Sequence, residues 1–225
     1  MSVLIYRDRQ TAGAATATLF AAAVLENVHL NIGITYDSVL EPAFESLRAM
    51  LSNGLLSLHG ARMYQLCEFV PKADEEQGPT IYGLLKETAF AETEFSAEQY
   101  IVPISDQGNW AQICNRFESD ILEHGGLDFA ILGLRPDGSL LYNLAGDDLA
   151  PVTHVEKIGE EKVVSAGMAT LMQAKKLIVT ATGADCAEAV VKALRGSVCD
   201  KQPASYLQLH QNTIFILDEE AASLL

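Results

Sequence analysis

The chain has 225 residues, of which 49% are hydrophobic, and its formal net charge at pH 7 is −15. This length and composition predict a single globular domain over residues 1–225 with a well-covered core. The acidic balance argues against nucleic acid and anionic membranes as partners, which are bound through clusters of Lys and Arg, whereas a phosphorylated small molecule needs only one local positive pocket.

The first half of the chain alternates short apolar runs with longer amphipathic segments. We predict strands at 2–6, 29–34, 62–66, 100–103 and 127–133, and helices at 10–26, 38–51, 80–90 and 109–123. The run at 127–133 is almost wholly apolar, which is typical of a strand buried on both faces.

The second half continues the same alternation. We predict helices at 167–174, 185–195 and 203–210, strands at 176–181 and 212–217, and a closing helix capped by Asp218. The acidic stretch 74–78 is the most loop-like and is a candidate lid. Strands that alternate with helices predict a parallel sheet covered on both faces. Ligands of such sheets bind at the carboxyl ends of the strands, which points to the turns after Ile34, Leu66 and Gly133.

The N-terminal sequence and the cysteines bear on cellular location. MSVLIYRDRQ has no basic region followed by an apolar run, so no signal peptide is expected, and the longest apolar stretch, at 12–25, is too short to span a bilayer. The four cysteines show no C-x-x-C spacing and predict free thiols, not a disulfide or zinc framework. We therefore expect a cytoplasmic protein without a membrane span.

Three stretches carry motifs of a known family. They are GGLDFAILGLRPDGSLLYN at 125–143, GMATLMQAKKLIVTATG at 167–183 and PASYLQLHQNTIFILDEEAA at 203–222. Together they resemble the glucosamine-6-phosphate deaminase/isomerase family, and the Leu-Gln-Leu-His element separates it from the 6-phosphogluconolactonases that share its fold. The resemblance covers essentially the whole chain. It implies a Rossmann-like three-layer α/β sandwich with a mostly parallel central sheet.

The family converts glucosamine-6-phosphate to fructose-6-phosphate and ammonia. The resemblance implies chemistry without a metal or cofactor: ring opening, then transfer of a carbon-bound proton through an enediol-type intermediate. This chemistry needs a carboxylate to move that proton and a His with a carboxylate partner to open the ring. It also needs a cationic, Gly-rich phosphate pocket. The implied ligand is a phosphorylated hexose or amino sugar.

The residues at the family's acid–base positions differ in this chain. Cys67 stands where the family has its proton-transfer Asp, Ser139 where it has the ring-opening His, and Leu144 where that His has its Glu partner. A thiol acts as a base only if a cation or helix N-terminus lowers its pKa, and a hydroxyl does not titrate near neutral pH. Asp137 alone remains of the four positions, and in Pro136-Asp137-Gly138 it is also a good turn former.

The phosphate-binding positions are altered as well. Gly33 and Thr35 match the family's phosphate loop, and Gly138 belongs to its active-site turn. The family's phosphate-binding Lys aligns one residue before Lys162, and the segment that carries its phosphate-binding Arg is missing between 157 and 163. The resemblance thus leaves Gly33, Thr35, Gly138 and Lys162 as the expected phosphate contacts.

Three functions follow as alternatives from the sequence. The favoured one is a divergent family member that has lost the usual catalysis and retains at most sugar-phosphate binding. The second is an active sugar-phosphate isomerase, deaminase or lactonase with a rearranged site, in which Asp137 is the main acid–base residue, helped by Ser139, Cys67 or His154. The third is an assembly role, with the chain acting as a homo-oligomer.

Overall fold

A seven-stranded sheet in which every neighbouring pair of strands is parallel forms the centre of the molecule. The structure is a computed structural model that describes residues 1–71, 80–91, 93–104, 109–146 and 152–225. Within those residues the strands are, in chain order, β1 (Ser2–Tyr6), β2 (Asn31–Ile34), β3 (Arg62–Gln65), β4 (Cys67–Phe69), β5 (Tyr100–Ile101), β6 (Phe129–Gly133), β7 (His154–Ile158), β8 (Glu161–Ser165), β9 (Leu177–Ala181) and β10 (Thr213–Asp218). The order across the main sheet is β1-β10-β9-β6-β2-β3-β5, and β4, β8 and β7 form a separate antiparallel sheet.

Helices complete a three-layer α/β arrangement. The α-helices of the described residues are α1 (Arg9–Glu26), α2 (Glu41–Ser52), α3 (Ile81–Thr88), α4 (Trp110–Glu123), α5 (Met168–Met172) and α6 (Ala187–Arg195). Short 3-10 helices cover Ser38–Leu40, Ala184–Cys186 and Pro203–Leu209. None of the helices in the described ranges is both long enough and apolar enough to cross a bilayer.

The core is continuous from the sheet into the helices. All five residues of β6 and all five of β9 are buried, as their apolar sequences require. Phe20 of α1 packs edge-on against Phe129 of β6, with ring centroids 5.4 Å apart. Helices α1 and α2 cross closely at Gly13, where an added Cβ would come within 2.5 Å of the Pro42 Cβ.

The parallel framework predicted from the sequence is confirmed, but the small antiparallel sheet was not predicted and several helices differ. The helix predicted at 203–210 is a 3-10 helix over Pro203–Leu209. The helix predicted at 38–51 begins with a 3-10 turn, because the Asp37 carboxylate accepts the N–H of Val39 at 3.1 Å, and α2 follows it. The closing helix predicted after Asp218 is wrong: residues 219–224 form turns, and the Asp218 carboxylate accepts the N–H of Ala221. The proposed lid at 74–78 lies outside the described residues.

Candidate active site

A cleft of about 670 Å³ opens at the carboxyl ends of β6, β9 and β10. This is the edge at which parallel sheets bind ligands. Among the described residues, the charged ones in its lining are Arg9, Arg135, Asp37, Asp137, Asp185, Asp218 and Glu220. With all seven ionised, two positive charges face five negative ones. The cleft therefore has three negative charges in excess, which disfavours a phosphate group.

Asp37 and Arg135 form the central ion pair of this cleft. The Arg135 Nε lies 2.9 Å from the Asp37 Oδ2, and the two side chains are 29% and 10% exposed. Arg135 also donates Nη1–H to the Leu141 carbonyl at 2.8 Å and lies over the Tyr142 ring. Burial acts to lower the pKa of Arg135, but the Asp37 carboxylate outweighs it, so the pKa is raised. The guanidinium is therefore firmly charged and already holds an anion that belongs to the chain itself.

A glycine in β6 makes this pairing sterically possible. A Cβ at Gly133 would come within 2.9 Å of the Asp37 Cγ and within 2.5 Å of a Val39 methyl group. The segment after β2 therefore lies directly against the end of β6. That close approach places Asp37 beside Arg135, which follows the same strand.

Cys67 is a buried neutral thiol. Its Sγ lies 2.9 Å from the Thr35 Oγ1, and both side chains are almost completely buried. Burial raises the pKa of Cys67 to about 12, and the smaller effects of Thr35 and Arg135 in the opposite direction do not offset it. At neutral pH the thiol keeps its proton and cannot accept one. Neither Thr35 nor Cys67 is in the lining of the 670 Å³ cleft.

Asp137 and Ser139 are tied together in the turn after β6. The Asp137 Oδ1 accepts the Ser139 N–H at 2.9 Å and the Ser139 hydroxyl at 2.6 Å. Gly138 between them has φ +82°, and a Cβ there would lie 1.7 Å from the Gln202 Nε2. Of these residues, only Asp137 lines the cleft. The hydroxyl of Ser139 is thus a hydrogen-bond donor to a neighbouring carboxylate.

The other predicted phosphate contacts lie elsewhere. Gly33 is in the middle of β2, where a Cβ would meet the Ala130 Cβ at 2.9 Å, so it serves packing in the sheet. Lys162 lies in β8 opposite Lys157, and its carbonyl accepts the N–H of Val70. Lys162 is outside the cleft lining. The structure therefore brings Asp137 to the cleft and leaves Gly33, Thr35, Cys67 and Lys162 outside it.

The two histidines considered from the sequence differ in their surroundings. His210 is 7% exposed, with Nδ1 2.8 Å from the Thr213 Oγ1 and Nε2 2.7 Å from the Ala174 carbonyl. His154 begins β7, and its Nε2 is buried with no hydrogen-bond partner in the described part of the chain. Neither histidine lines the cleft.

Several residues of the cleft were not singled out from the sequence. Asp37 and Arg135 are the most important, and Cys186 is a third. Burial raises the pKa of the Cys186 thiol to about 11, and its Sγ lies 3.6 Å from the Leu134 carbonyl. Two features of the sequence could have pointed to the first two residues. Asp37 precedes a predicted helix as a capping residue, and Arg135 directly follows a buried strand, at the ligand-binding end of the sheet.

The described residues include no group of three or more His, Cys, Asp or Glu side chains arranged to hold a metal ion. All four cysteines are free thiols.

Comparison with known proteins finds relatives that match the whole chain. No protein-family model matches the chain. It is 28% identical to the glucosamine-6-phosphate deaminase of Rhodopirellula baltica. The alignment, 242 residues long with its gaps, covers 100% of the chain and 96% of that protein. It is also 28% identical to the glucosamine-6-phosphate deaminase of Halothermothrix orenii, with both proteins covered fully. The resemblance to the glucosamine-6-phosphate deaminase/isomerase family is thereby confirmed over the whole chain.

Solved structures show the same fold. A monomeric glucosamine-6-phosphate deaminase superposes with a TM-score of 0.91 at 21% identity, and the match covers all of both chains. The 6-phosphogluconolactonase of Trypanosoma brucei superposes with a TM-score of 0.80 at 19% identity, covering 100% of this chain and 98% of that one. The three-layer fold expected of a glucosamine-6-phosphate deaminase/isomerase family member is thereby confirmed.

Proposed function

We propose that this member of the glucosamine-6-phosphate deaminase/isomerase family lacks the family's usual proton-transfer chemistry and binds sugar phosphates weakly. Cys67 carries the proposal. It occupies the position that the resemblance assigns to the proton-transfer Asp, and it is a fully buried thiol whose pKa burial raises to about 12. A group that stays protonated at neutral pH cannot remove a proton from carbon.

The turn after β6 supports the same proposal. Ser139 replaces the ring-opening His, and its hydroxyl is held by the Asp137 carboxylate at 2.6 Å. Loss of one general acid–base group typically lowers a rate by about 10²–10⁴. Two such losses need not multiply, because groups that act as a unit are not additive. One of them suffices to make the family's reaction slow.

The charges of the cleft support weak phosphate binding. In the described part of the chain its lining cations are Arg9 and Arg135. The Arg9 guanidinium donates to the Ser38 carbonyl and lies 3.7 Å from the Glu41 carboxylate, while Arg135 is paired with Asp37. A phosphate must therefore compete with the chain's own carboxylates, whereas the hydroxyl groups of a sugar can donate to them.

Turnover and binding measured on one protein preparation test this proposal. Ammonia release from glucosamine-6-phosphate is compared with that of the H. orenii deaminase under identical conditions, and we expect a rate at least about 10²-fold lower. Thermal shifts with glucosamine-6-phosphate and fructose-6-phosphate report binding, because a ligand at a hundred times its Kd stabilises the folded state by about 2.7 kcal/mol. Turnover comparable to that of the deaminase would refute the loss of catalysis, and an unchanged melting temperature with both sugars would refute binding.

A second candidate function rests on Asp137. Its carboxylate lies in the cleft and is bonded to the Ser139 hydroxyl, so it is the one predicted acid–base residue available to a ligand there. We propose it as the acid–base group of any sugar-phosphate isomerase, deaminase or lactonase activity that the protein has. Asp137→Asn should abolish such activity, and Glu220→Gln, which removes another cleft carboxylate, should preserve it. Activity that survives in Asp137→Asn contradicts this role.

A further inference from the structure

A second concavity, of about 420 Å³, lies at the opposite edge of the main sheet. It is formed where the chain enters β2, β3, β6 and β9 and where α4 ends. Strands of four or five residues separate it from the 670 Å³ cleft, a distance of about 13–17 Å at roughly 3.3 Å per residue. We call it the amino-end cavity.

The charged and titratable lining of the amino-end cavity is mostly basic. Within the ranges that the structure describes, it consists of His29, Arg62, His124, Lys175 and Asp128. With neutral histidines, two positive charges face one negative charge, the reverse of the balance in the cleft. This local excess is notable in a chain with 15 basic Lys and Arg residues against 30 acidic ones.

The carboxylates in and beside the cavity already have partners. The Asp128 Oδ1 lies 2.7 Å from the Lys175 Nζ, and its Oδ2 accepts the backbone N–H of Asn31 at 2.8 Å. The carboxylate of Asp120 adjoins the cavity, where it lies 3.6 Å from the His124 Nδ1, and it accepts the Tyr64 hydroxyl at 2.8 Å. Asp120 is thus engaged by groups outside the proposed ligand pair, whereas Asp128 is paired with Lys175, so a phosphate would share the Lys175 ammonium with Asp128.

Arg62 provides an unsatisfied donor. Its Nη1 is buried and has no hydrogen-bond partner within the described residues. Its position is fixed at the entry to β3, where its backbone N–H donates to the Leu30 carbonyl at 2.8 Å. A buried donor without an acceptor costs about 1–3 kcal/mol, and more when it carries charge. The Arg62 side chain, which also interacts with the Tyr64 hydroxyl, lines the cavity, and a small shift of it toward an anionic ligand there would give this N–H an acceptor.

Gly60 shapes the wall beside Arg62. A Cβ at this position would lie 2.6 Å from the Val28 carbonyl oxygen and 3.1 Å from the His29 Nδ1. Only glycine lets the turn before β3 approach the segment before β2 so closely. The imidazole of His29 is thereby held next to the entry of β3, on the same cavity as the guanidinium.

We propose that the amino-end cavity is an anion site for phosphate, either free or as the phosphate group of a small metabolite, with Arg62 and Lys175 as its principal ligands. The guanidinium offers a planar pair of donors suited to phosphate, and the ammonium adds a point charge. The site is independent of the cleft and of the function proposed for it. Its ligand class follows from the excess of basic groups and from the unsatisfied Nη1.

Calorimetric titration of the full chain with inorganic phosphate tests the proposal. We expect saturable binding that weakens by about tenfold or more, or about 1.4 kcal/mol, in Arg62→Gln. Lys175→Gln alters a side chain that is 66% exposed and should weaken binding without affecting folding. Arg48→Gln, on the exposed face of α2, is the control for loss of one positive charge and should bind as the unaltered chain does.

Three outcomes of that titration would overturn the proposal. Absence of saturable phosphate binding would do so, as would equal affinity in the Arg62→Gln, Lys175→Gln and control variants. Loss of binding in Arg135→Gln alone would place the phosphate in the cleft instead. Fructose-6-phosphate can also be tested as a competitor of inorganic phosphate. If it competes in the unaltered chain but not in Lys175→Gln, the cavity binds a phosphate ester as well as the free ion.

Discussion

Asp37→Asn should make the protein less stable and a better binder of sugar phosphates. In the structure the Asp37 carboxylate acts as an internal anion for Arg135, at 2.9 Å and with only 10% of its side chain exposed. The substitution keeps the size of the side chain and an oxygen that can accept the Val39 N–H, but it removes the charge. Arg135 then becomes available to an external phosphate.

The stability loss follows from the contacts that remain. A hydrogen bond to a charged group contributes about 1.5–3 kcal/mol to stability. Arg135 keeps its bond to the Leu141 carbonyl and its contact with the Tyr142 ring, and it is partly exposed. We therefore expect Asp37→Asn to lower the free energy of unfolding by an amount at the low end of this range, about 1.5 kcal/mol.

The gain in affinity follows from the removed charge. At about 5 Å and an effective dielectric constant of about 20, repulsion between two unit negative charges is about 3 kcal/mol, which solvent screening reduces. A gain of about tenfold in affinity for fructose-6-phosphate, or 1.4 kcal/mol, is the expected result. Urea unfolding and calorimetric titration measure the two effects. Glu45→Gln, an exposed change on α2, controls for the loss of one negative charge. If Asp37→Asn binds fructose-6-phosphate no more tightly than Glu45→Gln does, the proposed competition between Asp37 and the phosphate is refuted.

Three further predictions concern the thiol, the helix crossing and the turn. Cys67 has its pKa raised by burial to about 12, so the folded state holds a proton that the unfolded thiol releases above about pH 8.5. The contribution of this thiol to the free energy of unfolding should therefore be fully present below that pH and fall by about 1.4 kcal/mol per pH unit above it. In urea unfolding, Cys67→Ser should lose less stability at alkaline pH than the unaltered chain. Equal losses in the two proteins would contradict the raised pKa of Cys67. Gly13→Ala should lower the free energy of unfolding by about 1–3 kcal/mol through overpacking against Pro42; a gain of about 1 kcal/mol, as helix propensity alone predicts, would show that the crossing relaxes. Gly138→Ala should cost about 1–3 kcal/mol, from its φ of +82° and displacement of Gln202, and a thermal melt unchanged from that of the unaltered chain would contradict it.

The parallel sheet was predictable because its inner strands are unambiguous in sequence. β6 and β9 are short apolar runs, and each is flanked by segments of helical periodicity. The Ala-rich composition of α1 favours a helix before any tertiary contact is made. In these elements local preference and tertiary burial agree, so the pattern was sufficient.

The small antiparallel sheet was not predicted because its strands lack a strong local signal. The segment HVEKIGEEKVVS forms β7 and β8 around Gly159, which has φ +62°. Its first strand contains no fully buried residue, and its second is buried only in its last three. Those residues are covered through pairing with β4, which follows β3 far earlier in the chain. Burial of this kind depends on the fold and is invisible in a local pattern.

The candidate site was predictable in its location and only partly in its residues. The turn after β6 was expected at the ligand-binding edge, and Asp137 lies in the cleft there. The Asp37–Arg135 pair joins residues 98 positions apart, so only the fold reveals it. A catalytic Cys67 would need a cation or a helix N-terminus to lower its pKa, and only the fold shows that burial raises this pKa to about 12. The neighbouring Glu68 accepts the N–H groups of Ile81 and Tyr82 at the start of α3.

Proton exchange at carbon tests the central claim most directly. The protein is incubated with fructose-6-phosphate and ammonium in D₂O, and deuterium entering the carbon-bound positions of the sugar is followed by NMR beside the H. orenii deaminase. With a protonated, buried Cys67 at the proton-transfer position, we predict no incorporation above that in a protein-free blank. Incorporation at a rate comparable to that of the deaminase would contradict the claim that this chain has lost the family's proton-transfer chemistry.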